Sequence, residues 1–262
     1  MSANAYLDCV RGILNEIQSS QQKAIQEAGE KMAESIASGG RVYVFGSGHS
    51  VIPVMDIFPR YGSFVGFFPL YDPRLMWNNV IGPGGARELL WLERQEGYAK
   101  VFLQSYALES RDCMLVFSHG GLNAAPIEMA LEARSKGLTV ITVSSHQNAR
   151  LTRATHSSGK KLSDTAHIAI DNCVPPEDAL VDVGQIERVA AGSTLAAVAV
   201  AMSLVAETAA QLARRGGVPP TFVSPNVPGV APGHMDGVYT AFTNFFYARN
   251  STGAGRPLTR EK

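Results

Sequence analysis

The stretch that most restricts how this chain can fold is Arg41-Val-Tyr-Val-Phe-Gly-Ser-Gly-His-Ser50. An apolar run of β-branched and aromatic residues passes directly into glycines and hydroxyls. The same grammar returns at Met114-Leu-Val-Phe-Ser-His-Gly-Gly-Leu-Asn123. Runs this apolar predict strands buried on both faces, the condition of a parallel sheet. A strand that ends in a small polar loop and continues as a helix aims backbone N–H groups at an anion. Two such loops in one chain predict one anionic ligand gripped from both sides.

The rest of the chain extends the pattern. Leu7, Val10, Leu14, Ile17, Ile25, Ala28, Met32 and Ile36 follow a 3.6-residue period, which predicts one long amphipathic helix ended by Ser38-Gly-Gly40. Strands are predicted over 42–45, 64–68, 114–117, 139–143 and 167–170, and helices over 87–106, 125–136 and 193–215. Strands alternating with helices imply βαβ crossovers and a doubly wound α/β fold in three layers. Residues 1–249 read as a single domain with no internal linker, and the polar segment 250–262 reads as a flexible tail.

Composition removes several functions. The 262 residues carry 23 basic and 23 acidic side chains, so neither nucleic acid nor an anionic membrane is an expected partner. Attraction for an anion must then be local. Cys9, Cys113 and Cys173 are far apart and odd in number, which fits free thiols in a reducing cytoplasm. The first residues lack the basic and apolar regions of a signal peptide. The alanine-rich segment 194–212, interrupted by Ser203, Glu207 and Thr208, reads as a core helix and not a membrane span.

The ligand-binding candidates follow from the loops: Gly46, Ser47, Gly48 and Ser50 in the first, Ser118, His119, Gly120, Gly121 and Asn123 in the second. The first is no dinucleotide fingerprint, because the third glycine of that motif is missing. A plain turn after a strand, or Asn123 as a simple helix N-cap, would account for the same residues without a ligand. Ser193 and Thr194 open a third loop–helix junction, with the same two readings.

Taken jointly, several motifs carry a family resemblance. They are Phe45-Gly-Ser-Gly-His-Ser50, Asn123-Ala-Ala-Pro-Ile-Glu-Met-Ala130, His156-Ser-Ser-Gly-Lys160, Asp171-Asn172, Pro175-Pro176 and Asp178-Ala-Leu180. From about Leu7 to Asn226 the chain resembles the SIS (sugar isomerase) domain proteins, in a phosphosugar-binding branch similar to phosphoheptose isomerase and N-acetylmuramic acid 6-phosphate etherase. The resemblance implies a flavodoxin-like sheet of about five parallel strands and a homodimer or homotetramer built on the N-terminal helix (1–38), with sites near subunit contacts. That branch usually reads Ser-Asn-Ser-Gly-Arg-Asn at the second loop. Here Gly120 and Leu122 remove a hydroxyl and a cation, and the His119 ring is the candidate replacement donor.

Aldose–ketose isomerisation requires a base that moves a proton between adjacent carbons and donors for the enediolate. Elimination of a sugar ether begins with the same proton abstraction. Glu96 is the leading acid/base candidate, because Glu96-Gly-Tyr-Ala99 resembles the etherase's glutamate-glycine element. As a bare pattern it is one charge on a solvated helix, among Glu88, Glu93 and Arg94. Asp56 stands where the branch usually has a glutamate, although it could merely pair with Arg60. His49 is placed for proton transfer or ring opening. His156 would reach the site or pin its loop, and Lys160 and Lys161 would add charge. The zinc pair of phosphoheptose isomerases is absent, since Pro53 stands four residues after His49, so no metal or other cofactor is expected. The combined expectation is a cytoplasmic isomerase of an anionic, phosphorylated sugar, with a lyase or a non-catalytic sensor as alternatives.

Overall fold

The computed structural model describes residues 2–76 and 85–249; the tail expected over 250–262 lies outside the described residues. The helices and strands are α1 (Ser2–Ser20), α2 (Gln22–Ala37), β1 (Val42–Gly46), α3 (Val51–Ile57), β2 (Phe67–Pro69), α4 (Gly85–Leu92), α5 (Tyr98–Phe102), β3 (Cys113–Phe117), α6 (Ala124–Ser135), β4 (Thr139–Ser144), α7 (His146–Leu151), α8 (Leu162–Thr165), β5 (Ile168–Asp171), β6 (Ala179–Val181), β7 (Val189–Ala191), α9 (Ser193–Arg214) and α10 (His234–Tyr247).

Five strands pair in parallel in the order β2-β1-β3-β4-β5. Strand periodicity sorts their side chains into two cores. Val42, Val44, Leu115 and Ile141 join residues of α1, α2, α3 and α9 on one face. Tyr43, Phe45, Met114 and Val140 join residues of α5, α6 and α8 on the other. These are the three layers of the doubly wound fold. α9 is long and apolar enough to span a membrane, with mean hydropathy 1.7, yet its Ala196, Val200, Ala201 and Leu204 are buried in the first core.

The topology decides where a ligand can sit. From β1 the chain goes outward to β2, and β3 then begins the other half of the sheet, so β1 and β3 are neighbours at the switch point. Ligands of open α/β sheets bind beyond the carboxyl ends of the strands at that crevice. Both glycine loops emerge there.

The long N-terminal helix is in fact two. The hydroxyls of Ser19 and Ser20 donate back to the Glu16 carbonyl at 3.2 and 2.7 Å, an alternative to the helical ladder. Gln21 then leaves the helix and its Oε1 accepts the Asp171 amide at 3.0 Å. The expected 64–68 strand shrinks to β2, with Phe64 instead bridging antiparallel to Thr221. The helix expected over 87–106 also breaks, ending at Leu92 and restarting after Gly97, whose φ is +92°. The β6–β7 hairpin and α10 add elements that hydrophobic periodicity did not signal.

α10 closes the β2 side. Phe246 stacks on Phe68 with centroids 5.3 Å apart, and the Arg41 guanidinium donates to the Phe245 carbonyl at 2.6 Å. Just beyond the helix, Arg249 forks onto both oxygens of buried Asp112 at 2.6 and 2.8 Å. Removing one partner of such a pair strands a buried charge. Arg249→Met is therefore expected to lower the unfolding free energy by about 3 kcal/mol, measured by urea denaturation; a loss within ~0.5 kcal/mol would show the clamp to be a surface pair.

Candidate functional site

The first loop cannot be built on another residue at its opening position. A Cβ on Gly46 would lie 2.1 Å from the Ser50 carbonyl oxygen, because the chain doubles back to start α3. Ser50 and Val51 amides close on the carbonyls of Ser47 and Gly48 at 3.1 and 3.2 Å. The second loop is moored to the end of β4 and beyond. The Ser145 amide donates to the His119 carbonyl at 2.8 Å, Leu162 to Gly121 at 2.9 Å, and the Asn148 side-chain amide to Gly120 at 2.7 Å. Ser47, Gly48, His49, Ser50, Ser118, His119, Gly120 and Asn123 together line one crevice of about 200 Å³.

What joins the loops is Glu93, a residue that pattern reading left among solvated helix charges. Glu93 is only 5% exposed. Ser47 donates its hydroxyl to Oε2 at 2.7 Å, and Asn123 donates its side-chain amide to Oε1 at 2.6 Å. The helix break explains the placement: leaving α4 at Leu92, the chain turns so that the Glu93 carbonyl also accepts the Ala125 amide at 2.9 Å. Asn123 occupies the N-cap position of α6, but its side chain makes no cap bond; it serves Glu93 instead. Burial pushes the Glu93 carboxyl above its ordinary value, against the downward pull of the Ser47 hydrogen bond and the Arg94 charge. A partly dry carboxylate with a raised pKa is suited to taking and returning a proton.

His49 faces it across the crevice on a second chain of bonds. Its Nε2 lies 3.2 Å from Ser193 Oγ, and Ser193 donates its hydroxyl to Asp178 Oδ2 at 2.7 Å. The single hydroxyl hydrogen goes to Asp178, so the oxygen accepts from His49, which makes His49 the Nε2–H tautomer. The Ser193 and Gly192 amides also donate to Asp178 Oδ1, at 2.7 and 3.1 Å. Burial alone would raise the Asp178 carboxyl; the Ser193 hydroxyl and amide, the His119 charge and the Gly192 amide together bring it below its usual value. Asp178 holds a left-handed backbone (φ 64°), a conformation costly for a residue with a Cβ and retained where it positions something. Burial lowers the His49 pKa, only partly offset by Asp178 and reinforced by His119.

The remaining predicted residues are placed less centrally. Both His119 ring nitrogens are engaged, Nδ1 with the Asn172 side-chain amide at 3.1 Å and Nε2 with the Pro176 carbonyl at 3.4 Å, which removes the ring as a replacement donor for an oxyanion. Glu96 is exposed, and its carboxylate takes the Ser157 amide at 2.6 Å as well as the Ser157 hydroxyl. Those bonds hold it below its ordinary pKa, the reverse of what a general base needs. Asp56 pairs with Arg60 at 2.6 Å and lines a separate aromatic cleft with Tyr61, Phe222 and Tyr239. His156 sits beside Glu96, not in the loop crevice. Thr194 is half-buried in the first turn of α9, and Lys161 gives its ammonium to the Ala149 carbonyl. Among the described residues no three His, Cys, Asp or Glu side chains gather closely enough to hold a metal ion.

A crevice between two Gly/Ser loops at the switch point of a five-stranded parallel sheet defines a doubly wound α/β domain of the flavodoxin-like kind. A SIS domain model matches residues 5–145, and the chain belongs to the SIS domain family. Its sequence relatives include a UPF0309 protein of Halalkalibacterium halodurans, 34% identical over 83% of this chain and 88% of the relative. Another is a UPF0309 protein of Listeria innocua, 35% identical over 86% of this chain and 89% of the relative. Among solved structures, phosphoheptose isomerases share the fold. The Francisella tularensis enzyme is 17% identical with a TM-score of 0.51, covering 79% of this chain and 95% of that one. The Neisseria gonorrhoeae enzyme is 14% identical with a TM-score of 0.52, covering 79% and 96%.

A raised carboxyl pKa has a definite sign. Glu93 adds to stability below the pKa of the unfolded chain, and that contribution is lost as pH rises through its higher folded value. At neutral pH its ionised form is a burden. Glu93→Gln is expected to melt at or above the wild-type temperature at pH 7.5, and the difference should shrink toward pH 4, as followed by differential scanning calorimetry. A variant clearly less stable at pH 7.5 would mean the charge is well solvated or compensated in the fold.

Proposed function

We propose that this chain binds an anionic, phosphorylated sugar in the crevice between the two loops and interconverts its aldose and ketose forms through an enediol(ate). The observation that carries this reading is Glu93, a buried carboxylate with a raised pKa, hydrogen-bonded to both loops. The sugar's anion is met by the hydroxyls of Ser50 and Ser118 and the amides of Ser47 and Gly120, since the Gly48, Ser50 and Ser118 amides already donate within the fold. Glu93 takes the proton from C2 of the open-chain aldose and returns it to C1. His49, supported through Ser193 by Asp178, takes the O2 proton on its unprotonated Nδ1 and returns it to O1, so the hydrogen count is conserved. A depressed His49 pKa keeps the imidazole neutral at rest, ready to accept a proton. The phosphoheptose isomerases of the same fold support the reaction class. A homodimer or homotetramer in the cytoplasm, using α1 and α2 as the contact, completes the reading.

The test is exchange of carbon-bound hydrogen. Phosphorylated aldoses incubated with the protein in D₂O should gain deuterium at C1 or C2, read by NMR, and Glu93→Gln should slow that gain at least ~10²-fold. Glu96→Gln and Asp56→Asn should stay near wild type. Exchange undiminished in Glu93→Gln, or saturable binding with no exchange at all, would contradict the assignment, the latter leaving a sensor.

A further inference from the structure

The sequence period over 87–106 runs straight through Glu93, so the break between α4 and α5 has to be held open by something outside that segment. In an uninterrupted helix the Gly97 amide would donate to the Glu93 carbonyl, and the Ala99 amide to the Gln95 carbonyl, each four residues back. Neither bond is made. The Glu93 carbonyl accepts the Ala125 amide at 2.9 Å. The Gly97 amide donates to Glu128 Oε1, and the Ala99 amide to Glu128 Oε2 at 3.2 Å. Ala125 and Glu128 both lie in the N-terminal half of α6. α6 thus takes both ends of the one hydrogen bond that would carry the helix through Glu93.

Glu128 is well placed to do this. Gly97 is the N-cap of α5 and has no side chain with which to satisfy the amides of that turn. A carboxylate from another helix does what a capping serine or aspartate would do. The Glu128 side chain is 13% exposed, and His156 Nε2 stands 3.7 Å from its Oε1, beyond hydrogen-bond length. Its two oxygens are therefore spent on the two amides. Ala99 is buried in the core beneath α5, which fixes the far end of the turn. The near end carries Glu93 to Ser47 and Asn123. Amides released by Glu128 would need new acceptors, and the helical ones are the carbonyls of residues 93 and 95. A Glu93 carbonyl turned back into the helix would leave Ala125 and draw its side chain off the loops.

We propose that Glu128 is a positioning residue for Glu93: by holding the Gly97 and Ala99 amides out of the helix, it keeps the break open and the Glu93 carboxylate on both loops. Its effect on turnover rests on the isomerase reading, so the test has one arm that needs no substrate. Carboxyl-labelled glutamates of the intact chain are titrated by carbon NMR in wild type, Glu128→Ala and Glu128→Gln, with the Glu93 signal assigned by its loss in Glu93→Gln. In wild type Glu93 should titrate above an ordinary glutamate. Off the loops and rehydrated in Glu128→Ala, it should titrate near the ordinary value of about 4.3. Glu128→Gln removes the same charge but keeps an oxygen for one amide, and should stay nearer wild type. In the second arm, deuterium uptake into phosphorylated aldoses at saturation should slow ~10–100-fold in Glu128→Ala, with the half-saturating concentration within about twofold of wild type, since the groups that meet the anion are untouched. Wild-type titration of Glu93 in both variants would overturn the positioning role. So would an equal displacement in both, which would trace the effect to lost charge alone. Absence of exchange in wild type would count against the isomerase reading only, and the titration would still decide the role of Glu128.

Discussion

Two hydrogen bonds, from Ser47 and Asn123 to opposite oxygens of Glu93, tie the loop after β1 to the loop after β3. The site depends on that tie. Hydrogen bonds to a charged group contribute roughly 1.5–3 kcal/mol each, which offsets much of the cost of burying a carboxylate. The offset is incomplete, and the remainder is expressed as a raised pKa. A buried carboxylate that fixes the spacing of two loops and carries a raised pKa would join binding geometry to proton transfer in one side chain, as proposed here.

Opposite shifts divide the crevice chemically. Glu93 is pushed up by burial, whereas Asp178 is brought down by the Ser193 and Gly192 donors. Pairs of carboxyl groups driven apart in this way separate a proton-accepting role from a purely electrostatic one. Asp178 stays charged and steadies His49 through the Ser193 hydroxyl. For Asp178 the stability sign is the usual one: its contribution is present above the unfolded pKa and is lost as acid protonates it. Ser193 explains why a hydroxyl opens α9: its oxygen bridges the Asp178 carboxylate and the His49 imidazole.

The sheet and both loops were legible in the chain, because strands buried on two faces leave uninterrupted apolar runs and the loops interrupt them with glycine and serine. The family was legible too, through motifs such as Phe45-Gly-Ser-Gly-His-Ser50. The residue we propose as acid/base was not. Glu93 sits among Glu88, Arg94 and Glu96 in a stretch whose period continues as one helix, and nothing local marks the break after Leu92. What breaks it is tertiary: Glu93 is drawn into contact with residues 46 and 30 positions away, and Gly97 adopts the left-handed turn that lets α5 restart. Gly97 and its neighbour Glu96 were visible as a pair, and in the fold the pair marks the turn between α4 and α5. Likewise the Asp178–Ser193–His49 chain spans 144 residues in sequence; the β6–β7 hairpin brings Asp178 to Ser193, and the packing of α3 on α9 brings in His49. Asp56 was misplaced for a simpler reason: α3 carries it away from the crevice to Arg60.

The claim on which all of this stands is that the two loops hold one anionic sugar between them. Amide chemical shifts followed by two-dimensional NMR during titration with glucose 6-phosphate examine it without any reference to turnover. The account predicts that the amides of Ser47, Gly48, Ser118 and Gly120 shift together along one saturation curve with a single dissociation constant. Shifts confined to one loop, or separate curves for the two, would contradict it.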